Sequence, residues 1–159
     1  MGVRISARKL VEIGVKTIQY NDEVIVLYNI VPYRNSHSLY EDVYCKTETV
    51  ESFGSIPYSM YNAFRETIGQ MFVPDFNFKK DDYLENLPFA KLINFADNEG
   101  HIKQEVCEEI YKDFEKYETK YIQYIHENPY VYYRFGQYYL ELKNVFEKGS
   151  QPDHIVYFS

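Results

Sequence analysis

The chain has 159 residues and a mass of 19.1 kDa, the size of one domain, and a chain of that length buries roughly 68–70% of the surface it exposes unfolded. With 45% hydrophobic and 26% charged residues it falls among globular proteins, which excludes wholesale disorder. Seventeen basic against 24 acidic residues leave a net charge of −7, which argues against broad binding to a nucleic-acid backbone.

The first half reads as sheet. Residues 6–13 fit either a short helix or a strand. Val15–Tyr20 and Glu23–Val31 are rich in β-branched and aromatic residues and flank Asn21-Asp22, a two-residue hairpin turn. Leu39 to Val50 alternates, with Leu39, Val43 and Cys45 on one face and Asp42, Lys46 and Glu48 on the other. Ser55 or Ser59 is placed to cap a helix over 57–71, whose stripe is Met60/Tyr61, Phe64, Ile68 and Met71/Phe72, and Pro74 ends it. The stretch 75–87 has no period and reads as a loop, and Phe89–Phe95 fits a short strand or a helical turn.

The longest element is a helix carrying Ile102, Val106, Ile110, Phe114, Tyr117, Tyr121 and Ile125, about 24 residues and ~36 Å long. Asn128-Pro129 stops it. A further helix bears Phe135, Tyr138/Tyr139, Leu142 and Val145/Phe146, with Gly149 as its C-terminal cap and Gly136 at a close helix contact. His154–Phe158 closes as a strand returning to the sheet. The expected fold is α+β: an antiparallel sheet from the N-terminal half and the C-terminal strand, covered on one face by three helices, in a single domain over 1–159.

No run approaches the ~18 apolar residues of a membrane span; the longest, Val24–Tyr28, stops at Asn29. The two cysteines, Cys45 and Cys107, lie far apart with no metal-binding spacing, so they read as reduced thiols of a cytoplasmic protein. His37, His101, His126 and His154 form no i, i+4 pair, and neither a nucleophile elbow nor a glycine-rich phosphate loop is present. No cofactor is expected.

Asp97-Asn98-Glu99-Gly100-His101-Ile102 overlaps half of a calcium loop, but Phe95 stands where the first carboxylate belongs and Val106 where the bidentate Glu belongs. As local structure, Asp97 or Asn98 caps the long helix and Gly100 supplies a positive φ. As chemistry, Asp97, Glu99 and His101 would be the metal set of a metal-dependent enzyme, if they converge with side chains from the sheet. From Asp97 to Glu118 eight acids face three lysines, a net of −5, as on proteins that dock a basic partner. Tyr130, Tyr132 and Tyr133 are spaced too closely to share one stripe, so at least one faces solvent, and tyrosine is favoured in interface hot spots.

Two stretches resemble motifs of a family of small uncharacterised bacterial and phage proteins. Gly54-Ser55 followed by Tyr58-Ser59-Met60-Tyr61-Asn62-Ala63-Phe64-Arg65 is similar to Gly-Ser-Tyr-Ser-x-Tyr-Asn-x-aromatic-Arg. Leu92 to Ile102 is similar to Leu-Ile-Asn-Phe-Ser-Asp-Cys-Glu-Gly-x-Ile, with Ala96 and Asn98 in place of Ser and Cys, which removes thiol chemistry there. The resemblance spans roughly residues 53–125, with Ile56-Pro57 as an apparent insertion, and names no activity. It implies that Tyr61, Asn62 and Arg65 lie near Asp97, Glu99 and Gly100, where Arg65 can pair with a carboxylate.

The expected function is therefore a non-catalytic, acidic protein–protein interaction module of inhibitor or immunity type. It would meet a basic protein through Glu108, Glu109, Glu115, Tyr130 and Tyr133, without binding nucleic acid or membrane. A metal-dependent enzyme and a structural subunit of a phage or bacterial complex are the alternatives.

Overall fold

A computed structural model describes residues 2–14, 30–31, 44–80, 82–95 and 100–159. Strand β1 (Gly2–Gly14) takes up the stretch 6–13 whose type the sequence left open. Its register against the antiparallel β3 (Tyr44–Pro57) shifts at Val3/Ile5, Ala7/Arg8 and Leu10/Glu12. At Val3/Ile5 and Ala7/Arg8 the extra residue lies in β3, and at Leu10/Glu12 it is Val11 of β1, where the two-residue alternation of that strand breaks. On the other edge of β3, the two-residue β2 (Ile30–Val31) pairs with Lys46 and Cys45. The hairpin expected around Asn21-Asp22 and the start of the strand expected from Leu39 lie outside the described residues, apart from Ile30 and Val31.

Strand β3 runs directly into α1 (Tyr58–Gln70), with Pro57 at the N-cap position. Neither serine caps this helix: Ser55 belongs to the strand and Ser59 to the first turn. Proline suits this junction, because its fixed φ and missing N–H cost nothing where no helical hydrogen bond is due. The helix ends at Gln70, before Pro74. The ambiguous stretch 89–95 forms a single helical turn, α2 (Ala90–Ile93), entered through Phe89 at φ 61°.

The apolar period from Ile102 onward conceals a change of element. Gly100–Lys103 is strand β4, and α3 (Gln104–Glu127) begins after it. Ile102 is buried in the strand, in step with Val106 and Ile110 only because a short strand feeds straight into the helix. The N-cap position is Lys103, so neither Asp97 nor Asn98 occupies it. Gly100 does take a positive φ, 139°. Helix α4 (Phe135–Gly149) and strand β5 (His154–Phe158) fall where the pattern places them. Gly149 is the last helical residue and its role is proximity: a Cβ there would stand 2.4 Å from Val156 Cγ2 and 3.2 Å from Cys107 Sγ. At Gly136 a Cβ would meet Ile122 and Ile125 at 3.7 and 3.9 Å, ordinary contact distances.

The sheet order is β2-β3-β1-β5-β4, each neighbour antiparallel. Val3, Ile5, Ala7, Phe53, Val156 and Phe158 face the helices and join Tyr61, Phe64, Ile110, Phe114 and Leu142 in one core. Rings link the helices in series: Phe89 to Phe114 at 5.0 Å, Phe114 to Tyr139 at 4.8 Å, Tyr139 to Tyr121 at 4.6 Å and Tyr121 to Phe64 at 6.2 Å. Such pairs contribute about 0.5–1.5 kcal/mol each beyond area burial. The tyrosine tips find partners inside: Tyr139 donates to Phe114 O at 2.7 Å, Tyr121 shares a 2.9 Å bond with Thr67, and Tyr83 donates to Pro88 O at 2.8 Å. These bonds allow phenols to serve as core residues.

Candidate functional site

The stretches 54–65 and 92–102 meet at Arg65. Arg65 lies on the inner side of α1, 6% exposed, and its Nη1 donates to Ile93 O at 2.7 Å and Phe95 O at 2.8 Å. Those carbonyls close the end of α2, where a cation is favoured by both hydrogen bonding and the helix dipole. Nη2 donates to Asn62 Oδ1, one turn back on α1. The guanidinium lies between the rings of Tyr61 at 4.9 Å and Phe78 at 4.8 Å. Asp97 and Glu99, the expected carboxylate partners, lie outside the described residues. Arg65, Asn62 and Tyr61 thus form a buried clasp tying α1 to the chain leading towards them.

Of the metal set only His101 is described. It is 5% exposed and sits opposite Tyr157 in the β4–β5 ladder. Among the described residues no group of three His, Cys, Asp or Glu side chains could hold a metal ion. Cys107 is a free buried thiol donating to Ile102 O at 3.3 Å; burial pushes its pKa up, and a thiol so placed has little nucleophilic character.

The acids of α3 divide by environment. Glu108 and Glu109 are exposed, but each meets a lysine: Lys112 at 3.1 Å and Lys91 at 2.8 Å. Glu115 accepts from Tyr111 OH at 2.9 Å, and Glu118 meets Lys143 at 3.2 Å. Asp113 turns inward. Its Oδ2 accepts the Phe89 N–H at 2.9 Å, and burial raises its pKa despite that bond. It therefore fixes the left-handed entry to α2 rather than contributing to an acidic face.

Tyr130 is 101% exposed and Tyr133 73%, in the connection between α3 and α4, while Tyr132 packs on Phe135 at 5.4 Å. Arg134 lies over the Tyr133 ring at 5.7 Å. Ile122 and Leu140 are also exposed, on the two helices that meet there. The sequence-predicted surface thus has two parts. Glu108 and Tyr130 are separated by most of α3, about 30 Å at 1.5 Å per residue. Beside this end, Gln70 of α1 and Lys120, Tyr124 and Glu127 of α3 line an open cleft of about 490 Å³.

Sequence reasoning missed one cluster. On β1, Arg8 Nε donates to Ser6 Oγ at 3.1 Å and Nη1 to Thr47 Oγ1 at 2.9 Å, with the guanidinium 5.2 Å from the centre of the Tyr157 ring. The signal was present as Arg4-x-Ser6-x-Arg8, which in a strand puts all three side chains on one face. It was hidden because residues 6–13 had no assigned period.

No protein-family model matches the chain, and no curated protein or solved structure matches it. Among the described residues no helix is long and apolar enough to cross a membrane.

Proposed function

We propose that the chain is a non-catalytic binding module that docks a basic protein along the outer side of α3, from the acids around Glu108, Glu109 and Glu115 to the rings of Tyr130 and Tyr133. The observation that carries this reading is the placement of Tyr130 and Tyr133 in solvent, on the connection between two helices that also expose Ile122 and Leu140, whereas most of the other aromatic rings among the described residues are buried. Exposed aromatics grouped with aliphatics mark contact surfaces in soluble proteins. A standard interface of about 800 Å² per partner is a disc roughly 32 Å across, which matches the length of α3 between the two patches. A cytoplasmic location, an origin in a bacterium or phage, and a partner other than nucleic acid belong to the same proposal. The test is capture of the partner by the wild-type chain, by the double variant Tyr130→Ala/Tyr133→Ala and by the charge-reversed Glu108→Lys/Glu109→Lys/Glu115→Lys. Loss of one stoichiometric partner in both variants, with unchanged circular dichroism, is the expected result. Undiminished capture by either variant removes that patch from the surface.

A further inference from the structure

The face of the sheet turned away from the helices has a chemistry unlike the rest of this acidic chain, and we propose that it binds a phosphate group at Arg8. Ile5, Phe53 and Val156 enter the core, so the alternate residues of the same strands turn to the other side. The register sets these residues in two cross-strand rows. One runs Ser52–Ser6–Tyr157–His101 and the next Thr49–Arg8–Ile155–Lys103. Ile155 is buried yet stands outside the core cluster, as this assignment of faces requires. Arg4 lies two residues before Ser6 on the same side and is exposed. The face thus gathers Arg4, Arg8 and Lys103, and neither row contains a carboxylate. Glu48 and Glu51 pair with Lys9 and Ala7, whose side chains belong to the opposite side.

Arg8 is held but not neutralised. Ser6 is 4% exposed and Thr47 is fully buried, and their hydroxyls fix Nε and Nη1 while the Tyr157 ring fixes the plane. All these partners are uncharged. Among the described residues none accepts from Nη2 and no carboxylate pairs with Arg8. A guanidinium preset in this way presents its Nη1–Nη2 fork without further loss of rotamer freedom. Arg8, Tyr157 and Lys103 are half-buried, and Arg4, Thr49 and Ser52 around them are exposed, whereas Ser6 and Thr47 are buried. Burial and the neighbouring Arg4 both work against the Arg8 charge, and an incoming anion relieves both.

The charge count selects the ligand. A carboxylate needs one fork and brings one negative charge, whereas a phosphate dianion brings two and has oxygens to spare for Lys103 and the hydroxyls of Ser52 and Thr49. The backbones of Arg8 and Lys103 are two strand spacings apart, about 10 Å, a gap their side chains span around a single phosphate. This site lies on the opposite side of the sheet from the helices and does not depend on the docking surface of α3.

The experiment is titration of the full chain with inorganic phosphate at constant ionic strength, followed by heteronuclear NMR, with chloride as the reference. Saturable shifts centred on Ser6, Arg8 and Tyr157 are expected. Arg8→Lys, which keeps the charge and loses the fork, should weaken binding about tenfold or more. Lys103→Met, on the edge strand, should weaken it severalfold, and this variant serves if Arg8 substitutions fail to fold. A phosphate monoester binding at least about tenfold tighter than inorganic phosphate points to a phosphorylated metabolite, and equal affinity to the free ion. Absence of saturable shifts up to about 10 mM, shifts centred elsewhere, or binding unchanged in both variants overturns the proposal.

Discussion

Replacing Arg65 by alanine tests whether the α1–α2 clasp holds the fold together. The substitution removes the donor from Ile93 O and Phe95 O, both in a site where Arg65 itself is 6% exposed. Each buried acceptor left without a partner costs about 1–3 kcal/mol. Loss of the cation from between Tyr61 and Phe78 adds about 0.5–2 kcal/mol per ring when desolvated. Water entering the vacated space returns part of this, so the expected loss is about 4 kcal/mol. Arg65→Lys keeps the charge and reaches one carbonyl at a time, for a loss of about 2 kcal/mol. The assay is urea unfolding followed by the near-ultraviolet circular dichroism of the tyrosines. With a slope of about 2 kcal/mol per molar, alanine should move the midpoint down by about 2 M and lysine by about 1 M. A shift below about 0.5 M for alanine at unchanged slope would refute the reasoning, because it would mean those carbonyls are solvated without the arginine.

Asp113 gives a test with a definite sign in pH. Its folded pKa is raised by burial, so its contribution to stability is present below the unfolded value near 3.9 and is lost as pH rises through the raised folded value. Asp113→Asn keeps an acceptor for the Phe89 N–H and removes the charge, so it should gain on the wild type as pH rises through that window. Asp113→Ala strands the N–H and should cost about 1–3 kcal/mol at all pH values, read by the same urea titrations. Gly149→Ala should cost about 1–3 kcal/mol by pressing on Val156, with partial rescue by Val156→Ala, whereas Gly136→Ala should be neutral or gain up to about 1 kcal/mol. The buried Cys107 thiol, its pKa raised by desolvation, should resist alkylation at pH 8 in the native chain and react on unfolding, as read by peptide mass spectrometry; ready native labelling would contradict its burial.

The legible parts of the fold are those where one periodicity persists. Helices α3 and α4 repeat their apolar stripe over several turns, and β5 is a short apolar run with nowhere else to go, so their limits could be read almost to the residue. Strand β1 could not, because its clean alternation is short, running from Val3 to Arg8, and an extra residue at Val11 interrupts it before the strand ends. Ile102 misled for the converse reason: it stands one helical repeat before Val106, and only the β5 pairing partner of β4, distant in sequence, makes it a strand residue. Capping by Ser55 or Ser59 was a sound local inference that a strand running unbroken to Pro57 overrode. The candidate site was legible in its parts and not in its arrangement. Spacing alone required at least one of Tyr130, Tyr132 and Tyr133 to face solvent without saying which, the lysines that meet Glu108 and Glu109 are set by helix turns and tertiary packing, and Arg65 turned to backbone carbonyls that no side-chain pattern announces.

The use of phenols as core residues sets an upper limit on the pH at which this fold can persist. Tyr83, Tyr121 and Tyr139 are held well above the ordinary phenol range, chiefly by burial. Their un-ionised forms therefore favour the folded chain, and that contribution is lost as alkali rises past the unfolded value near 10. Tyr121 and Tyr139 are stacked on one another at 4.6 Å in the middle of the helical layer, so charging either opens the packing around both. Alkaline titration at the phenolate absorbance should thus end in a cooperative step, in which the interior phenols ionise and the helices separate together.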